Sequence, residues 1–198
     1  CRDPVRMGGP VVATHLAACA GALVWSGLEW IQRGKPSVLG IISGAVAGLV
    51  AVTPAAGFVD PTGALIIGAI AGVVCFWAAT SLKRALGYDD SLDAFGVHGV
   101  GGLIGAILTG VFAKMSVSNS EGAFAAVLAK DPAATLGALE GNMAQVWLQV
   151  QGVAYTMVFT AVATFILLKI VDVIMGLRVD EDVERDGLDL ALHGETIH

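Results

Sequence analysis

Asp89-Asp90-Ser91-Leu92-Asp93-Ala94-Phe95-Gly96-Val97-His98-Gly99-Val100-Gly101-Gly102 is the stretch on which the reading of this chain turns. It opens on carboxylates and then runs without a formally charged residue from Ala94 to Ala113. At 1.5 Å of rise per residue, a helix of that length crosses a hydrocarbon core of about 30 Å. One ionisable side chain, His98, lies inside it. A titratable group at membrane depth is costly, so its default reading is a permeation path or a proton relay. The plainer reading is a neutral imidazole hydrogen-bonded between helices. The glycines around it let a second helix, or a small permeant, approach the backbone closely.

Four more uncharged spans surround this one: Met7 to Leu28, Ser37 to Val59, Pro61 to Leu82 and Asn142 to Leu168. The 198 residues are 56% hydrophobic and 14% charged, with a mean hydropathy of +0.77. Soluble domains carry about 25% charged residues, and the deficit here is gathered into long runs. None of the runs alternates as a membrane barrel strand does. The expected fold is therefore all-α, a polytopic membrane bundle with transmembrane helices at about 7–28, 37–59, 61–82, 94–113 and 142–176. Residues 1–176 form the expected membrane domain and 177–198 a soluble tail.

Of the net charge of −6, the tail from Leu177 onward holds −5, from seven acidic and two basic residues. An acidic tail on a near-neutral apolar body excludes a nucleic-acid footprint. Cys1, Cys19 and Cys75 make neither a disulfide framework nor a metal spacing, and no cofactor is expected. The N-terminal residues lack the layout of a cleavable signal peptide. Arg33 and Lys35, Lys83 and Arg84, and Lys169, Arg178 and Arg185 cluster at alternate connections. The positive-inside rule then puts the N-terminus outside and the tail in the cytoplasm of a cell (inner) membrane.

Asp90 and Asp93 stand at the start of the fourth helix, where carboxylates accept hydrogen bonds from the first amides and suit the helix dipole. Counting eight residues from Asp90 puts His98 about 12 Å along, near mid-membrane. His15, in Ala13-Thr14-His15-Leu16, is a second imidazole in an apolar span, read as a packing or outer-vestibule group. Thr53-Pro54 interrupts the second span, either lining a cavity or kinking a packed helix. Gly40, Gly44 and Gly48, Gly68 and Gly72, and Gly101, Gly102, Gly105 and Gly110 give small faces for close helix packing.

The Asp89–Gly102 stretch, continued by Leu108-Thr109-Gly110-Val111-Phe112-Ala113, resembles the ammonium transporter (Amt/Mep/Rh) family. So do Arg33-Gly34-Lys35-Pro36-Ser37, the run Gly44 to Val50, and Val52-Thr53-Pro54-Ala55. A third block, Gly176-Leu177-Arg178-Val179 with Glu184, then Gly187-Leu188-Asp189 and His193-Gly194-Glu195, resembles the Amt branch. The resemblance implies homotrimers of eleven-helix subunits, each with a hydrophobic pore in which ammonium is recruited, deprotonated and passed on. Twin histidines line such a pore. His98 stands at the second of them, Asp90 at the acid supporting that helix start, and Thr53 at the outer pore lining. In the tail, Arg178, Glu184, Gly187, Asp189 and His193 match a cytoplasmic element that meets PII-type regulatory proteins.

By the same resemblance this chain corresponds to helices seven to eleven and the tail, so the first twin histidine lies outside it. His15 matches neither twin. The family's pore lies between inverted halves, which implies that this chain alone does not conduct. Two rivals to transport are an ammonium sensor of the same fold and a non-conducting fragment. No nucleophile–base pair, metal cluster or phosphate loop points to an enzyme.

Overall fold

The computed structural model describes residues 4–118, 130, 136–189, 193 and 194. They form helices and turns, with no strand among the described residues. The chain divides into two compact units, Cys1–Val153 and Ala154–His198, and each is taken by itself. In the first unit lie α1 (Pro4–Arg33), α2 (Val38–Val52), α3 (Pro61–Leu86) and α4 (Phe95–Phe112). Helix α5 (Met143–Met175) begins in the first unit and continues into the second, which also holds α6 (Glu181–Asp186). Gly8–Arg33 of α1, and α3, α4 and α5 entire, are long and apolar enough to cross a membrane. In lipid a helix is the form that satisfies every backbone polar group within one segment. The fold is a membrane helix bundle.

Helix α2 stops short of the expected 37–59. Its 15 residues span roughly 22 Å. Pro54 has no N–H to return to the Val50 carbonyl, so the Thr53 N–H takes that acceptor at 3.2 Å. Ala55 and Ala56 then both donate to the Val52 carbonyl at 2.8 Å. Thr53-Pro54 therefore ends the helix, and turns carry the chain on to buried Val59. Hydropathy continues through this stretch although the helix does not.

Helix α1 packs on both α2 and α3, which converge on its Ala17–Gly21 turn. A Cβ on Gly48 would stand 2.1 Å from the Ala17 carbonyl oxygen, and one on Gly68 2.3 Å from the same atom. Helix α4 packs on α2 and α3 as well, with Gly105 set against the Ala51 carbonyl, where a Cβ would come within 2.1 Å. Glycine is required at these crossings because the neighbour is backbone and cannot swing aside. Small buried residues, among them Ala13, Ala17, Ala64 and Ala71, fill the layer between them around Ile67 and Val52.

Polar clamps close both ends. At one, Asp60 caps α3 by accepting from the Gly63 N–H at 2.9 Å, with Pro61 in the first turn where its missing N–H costs nothing. The other Asp60 oxygen takes Lys114 Nζ at 2.7 Å, and the Lys114 N–H donates to the Phe58 carbonyl at 2.7 Å. The Lys114 hydrogen bond, then that of Gly63, holds the Asp60 carboxyl below its usual 3.8. At the other end, Arg33, Ser37, Lys83, Arg84 and Asp93 surround a cleft of about 370 Å³.

Candidate functional site: the braced start of helix α4

Helix α4 opens with a π-helical turn, Phe95–Gly99, before regular α-helix from Val100 to Phe112. His98 sits in that turn. Its neighbours Gly96 and Val97 are buried, while His98 and Gly99 are exposed on the far side. Gly96 abuts Ala79, where a Cβ would lie 3.0 Å from the Ala79 nitrogen. The Cys75 thiol reaches the Val97 carbonyl at 3.8 Å. One face of the turn is thus locked on α3, and His98 faces away with no hydrogen bond to any described residue. Helical backbone begins at Ala94, the cap residue just ahead of α4, and not at Asp90, so the rise to His98 is about 6 Å, half the distance expected from sequence.

The two acids at this start divide the work. Asp90 Oδ1 accepts from the Ala94 N–H at 2.8 Å and Oδ2 from the Phe95 N–H at 2.9 Å. Asp93, expected to bind amides too, gives its carboxylate to Lys83 Nζ at 2.8 Å instead. An ammonium donor makes a charge-assisted bond, roughly twice as strong as a neutral one. Lys83 also donates to the Asp90 carbonyl. Asp93 has φ +53°, the one non-glycine residue in the left-handed region among the described residues. Tyr88 closes the cluster with its ring edge-on to Phe95, centroids 5.5 Å apart.

Thr53 is exposed, and its hydroxyl donates back to the Leu49 carbonyl at 2.7 Å. Val46 packs in the cluster that holds Val97, Gly101 faces Val50, and Gly105 faces Ala51, so α2 and α4 run in the same direction. Thr53 therefore stands about 10 Å beyond the level of His98 and does not meet it. His15 is exposed on α1, with no hydrogen bond to His98.

Glu29 is the buried acid that sequence reasoning missed. It is 3% exposed and accepts from the Ser37 N–H at 2.9 Å, from Ser37 Oγ at 3.0 Å and from Arg33 Nη1 at 3.1 Å. Ser37 Oγ in turn accepts from the Gly40 N–H at 2.9 Å, capping α2. Glu29 thus holds the cap of the next helix. Its only signal in sequence is a lone acid at the end of an apolar run, with a serine eight residues on.

In the second unit, Arg178 Nη2 donates to both Glu184 oxygens at 3.0 Å and so braces α6. Arg185 pairs with Glu181 at 2.6 Å. Gly187 ends α6 at φ +96°, a conformation that favours glycine. Asp189 and His193 are exposed, and Glu195 lies outside the described residues.

Residues 4–198 match the family model described as Ammonium Transporter Family. The chain belongs to the ammonium transporter family. The Bacillus subtilis (strain 168) ammonium transporter is 49% identical over 187 residues, which is 94% of this chain and 43% of that relative. The Aquifex aeolicus ammonium transporter is 45% identical over 188 residues, 95% of this chain and 41% of the relative. Among solved structures, Saccharomyces cerevisiae Mep2 superposes with a TM-score of 0.78 at 36% identity, over 90% of this chain and 38% of Mep2. A structure named Sensor Amt Protein gives 0.79 at 26% identity, over 96% and 43%. The chain spans about two-fifths of the length of the relatives it matches. Within this ammonium transporter segment, the turn that carries His98 is fixed from both sides. Asp90, Asp93 and Lys83 hold its start, and Gly101 and Gly105 seat the helix beyond it.

Proposed function

We propose that this chain supplies one wall of an ammonium conduction path in a multi-pass membrane protein, with His98 as the polar group along it. The carrying observation is an exposed imidazole on the open face of a helix that has no other ionisable residue. A neutral imidazole offers one donor and one acceptor, enough to pass a small neutral molecule along a dry route. A bare cation would face a large desolvation cost there. Asp90 and Asp93 act as supports of the pore helix, and Thr53 lines the path toward its outer part. Arg33, Lys83 and Arg84 gather around one cleft, which supports a cytoplasmic assignment for that end and hence an external N-terminus. Relatives named ammonium transporters support transport over enzymatic chemistry.

In this reading the protein is a homotrimer in the lipid bilayer, and the tail from Arg178 to His193 docks a PII-type regulator. The test grafts this chain in place of the matching segment of the Bacillus subtilis relative, in cells that lack their own ammonium uptake. Growth on low ammonium, lost with His98→Ala, is the expected result; equal growth of both would remove His98 from the path. Truncating the same chimera after Val179 is expected to abolish PII association, and retained association would overturn the docking role. The likeness to Sensor Amt Protein supports a second reading, in which ammonium binding is reported rather than followed by flux. Ammonium binding by a chimera that carries no flux would favour it.

A further inference from the structure

We propose that Lys83 is a positioning residue for His98, holding the Phe95–Gly99 turn in π register and so setting the face to which the imidazole is presented. Two features converge on it. Its ammonium bridges the Asp93 carboxylate and the Asp90 carbonyl, across the point where the chain turns into α4. That point includes Asp93 at φ +53°, a conformation that L-residues rarely adopt and that persists where its surroundings over-determine it. The Lys83 bridge supplies that constraint.

The turn itself is the part that can change. The Val100 N–H bonds to the Phe95 carbonyl, one residue further back than in an α-helix. Such π-turns are short and often mark functional positions. From Val100 onward the helix is held against rotation, because Gly105 is seated on the Ala51 backbone and Gly101 lies against Cys75 and Val50. Relaxation to α register must therefore swing the residues before Val100, His98 among them, around the helix axis. Before the turn, the brake is the Asp90–Asp93 corner, and Lys83 is the cation that closes it. Lys83 follows directly on a second π-turn, Ala78–Leu82, against which Gly96 packs. The two irregular turns thus face each other, and the lysine at the end of one ties the start of the other.

The inference deepens the conduction reading and rests on it for its functional consequence, so the test has two arms. In the first, the detergent-solubilised chain is treated with diethylpyrocarbonate and the modification rate of His98 is read by mass spectrometry. Lys83→Met should change that rate threefold or more, and Lys83→Arg should restore it. Asp93→Gly, which tolerates the positive φ without the carboxylate, should reproduce the Lys83→Met shift should that variant fail to fold. Lys114→Met, which breaks an ion pair at the opposite end, should leave His98 reactivity unchanged. In the second arm, the grafted chimera carrying Lys83→Met should lose maximal ammonium flux with little change in half-saturation. His98 reactivity within 1.5-fold of the parent in both Lys83→Met and Asp93→Gly would overturn the proposal. A chimera without flux, but with the reactivity shift intact, would refute the conduction reading and leave the positioning role standing.

Discussion

Replacing Gly48 by alanine tests whether backbone contact holds the bundle together. The added Cβ would lie 2.1 Å from the Ala17 carbonyl oxygen, 2.7 Å from its carbonyl carbon and 3.0 Å from Ala18 Cα. Ordinary contact begins at 3.4 Å, so α1 and α2 must part by roughly 1 Å at their crossing. All three obstructing atoms are main chain and none can rotate out of the way. Overpacking of this kind costs about 1–3 kcal/mol, and a backbone obstruction belongs at the upper end. Alanine's better helix propensity returns only about 1 kcal/mol. Gly27→Ala is the matched control, because a Cβ there meets nothing within 4 Å and only the propensity gain remains. Thermal unfolding of the solubilised chain, followed by tryptophan fluorescence to which Trp25 beside Phe76 contributes, reads both variants. At about 2–4 °C per kcal/mol for a chain of this size, Gly48→Ala should melt roughly 4 °C or more below the parent and Gly27→Ala slightly above it. Equal melting of the two variants would refute the claim that close backbone approach sets the packing.

Asp60→Asn keeps the cap to Gly63, since asparagine caps as well as aspartate, but removes the charge that faces Lys114. The expected cost near neutrality is about 0.2–1 kcal/mol. Because the folded carboxyl titrates below 3.8, its contribution is present above the unfolded value and is lost as pH falls through the folded one. Melting curves of parent and variant should therefore converge on acidification below about pH 4, and a constant gap from pH 7 to 3 would contradict the ion pair. Glu29→Gln leaves one oxygen to serve Ser37 and Arg33, at a cost of about 1–3 kcal/mol. Unchanged melting of that variant would mean that Glu29 does not hold the α1–α2 joint.

Hydropathy made the long helices legible, because an uncharged run of spanning length has few other uses. The glycine stripes were legible too, since small residues at helical spacing have a packing consequence in lipid. Where α2 ends was not, because Pro54 breaks the hydrogen-bond ladder while Ala55, Ala56 and Val59 keep the composition apolar. At the site, the amide-binding role of Asp90 could be read from its place ahead of an apolar run. The partner of Asp93 could not, because Lys83 lies ten residues back on another helix, outside any helical pairing rule. Neither π-turn has a composition of its own, so the register of His98 is a product of tertiary packing.

That division separates what stabilises the fold from what sets the site. Gly48, Gly68 and Gly105 meet backbone, and their loss moves whole helices. Lys83 is only partly buried and holds a corner, not a core. Exposed or half-exposed ion pairs contribute little to overall stability, yet a left-handed aspartate and a π-turn depend on this one for their geometry. A chain can therefore keep its bundle while His98 changes its aim. The residues most worth substituting in a study of transport are then not the ones that hold the helices together, and a stability screen alone would pass over them.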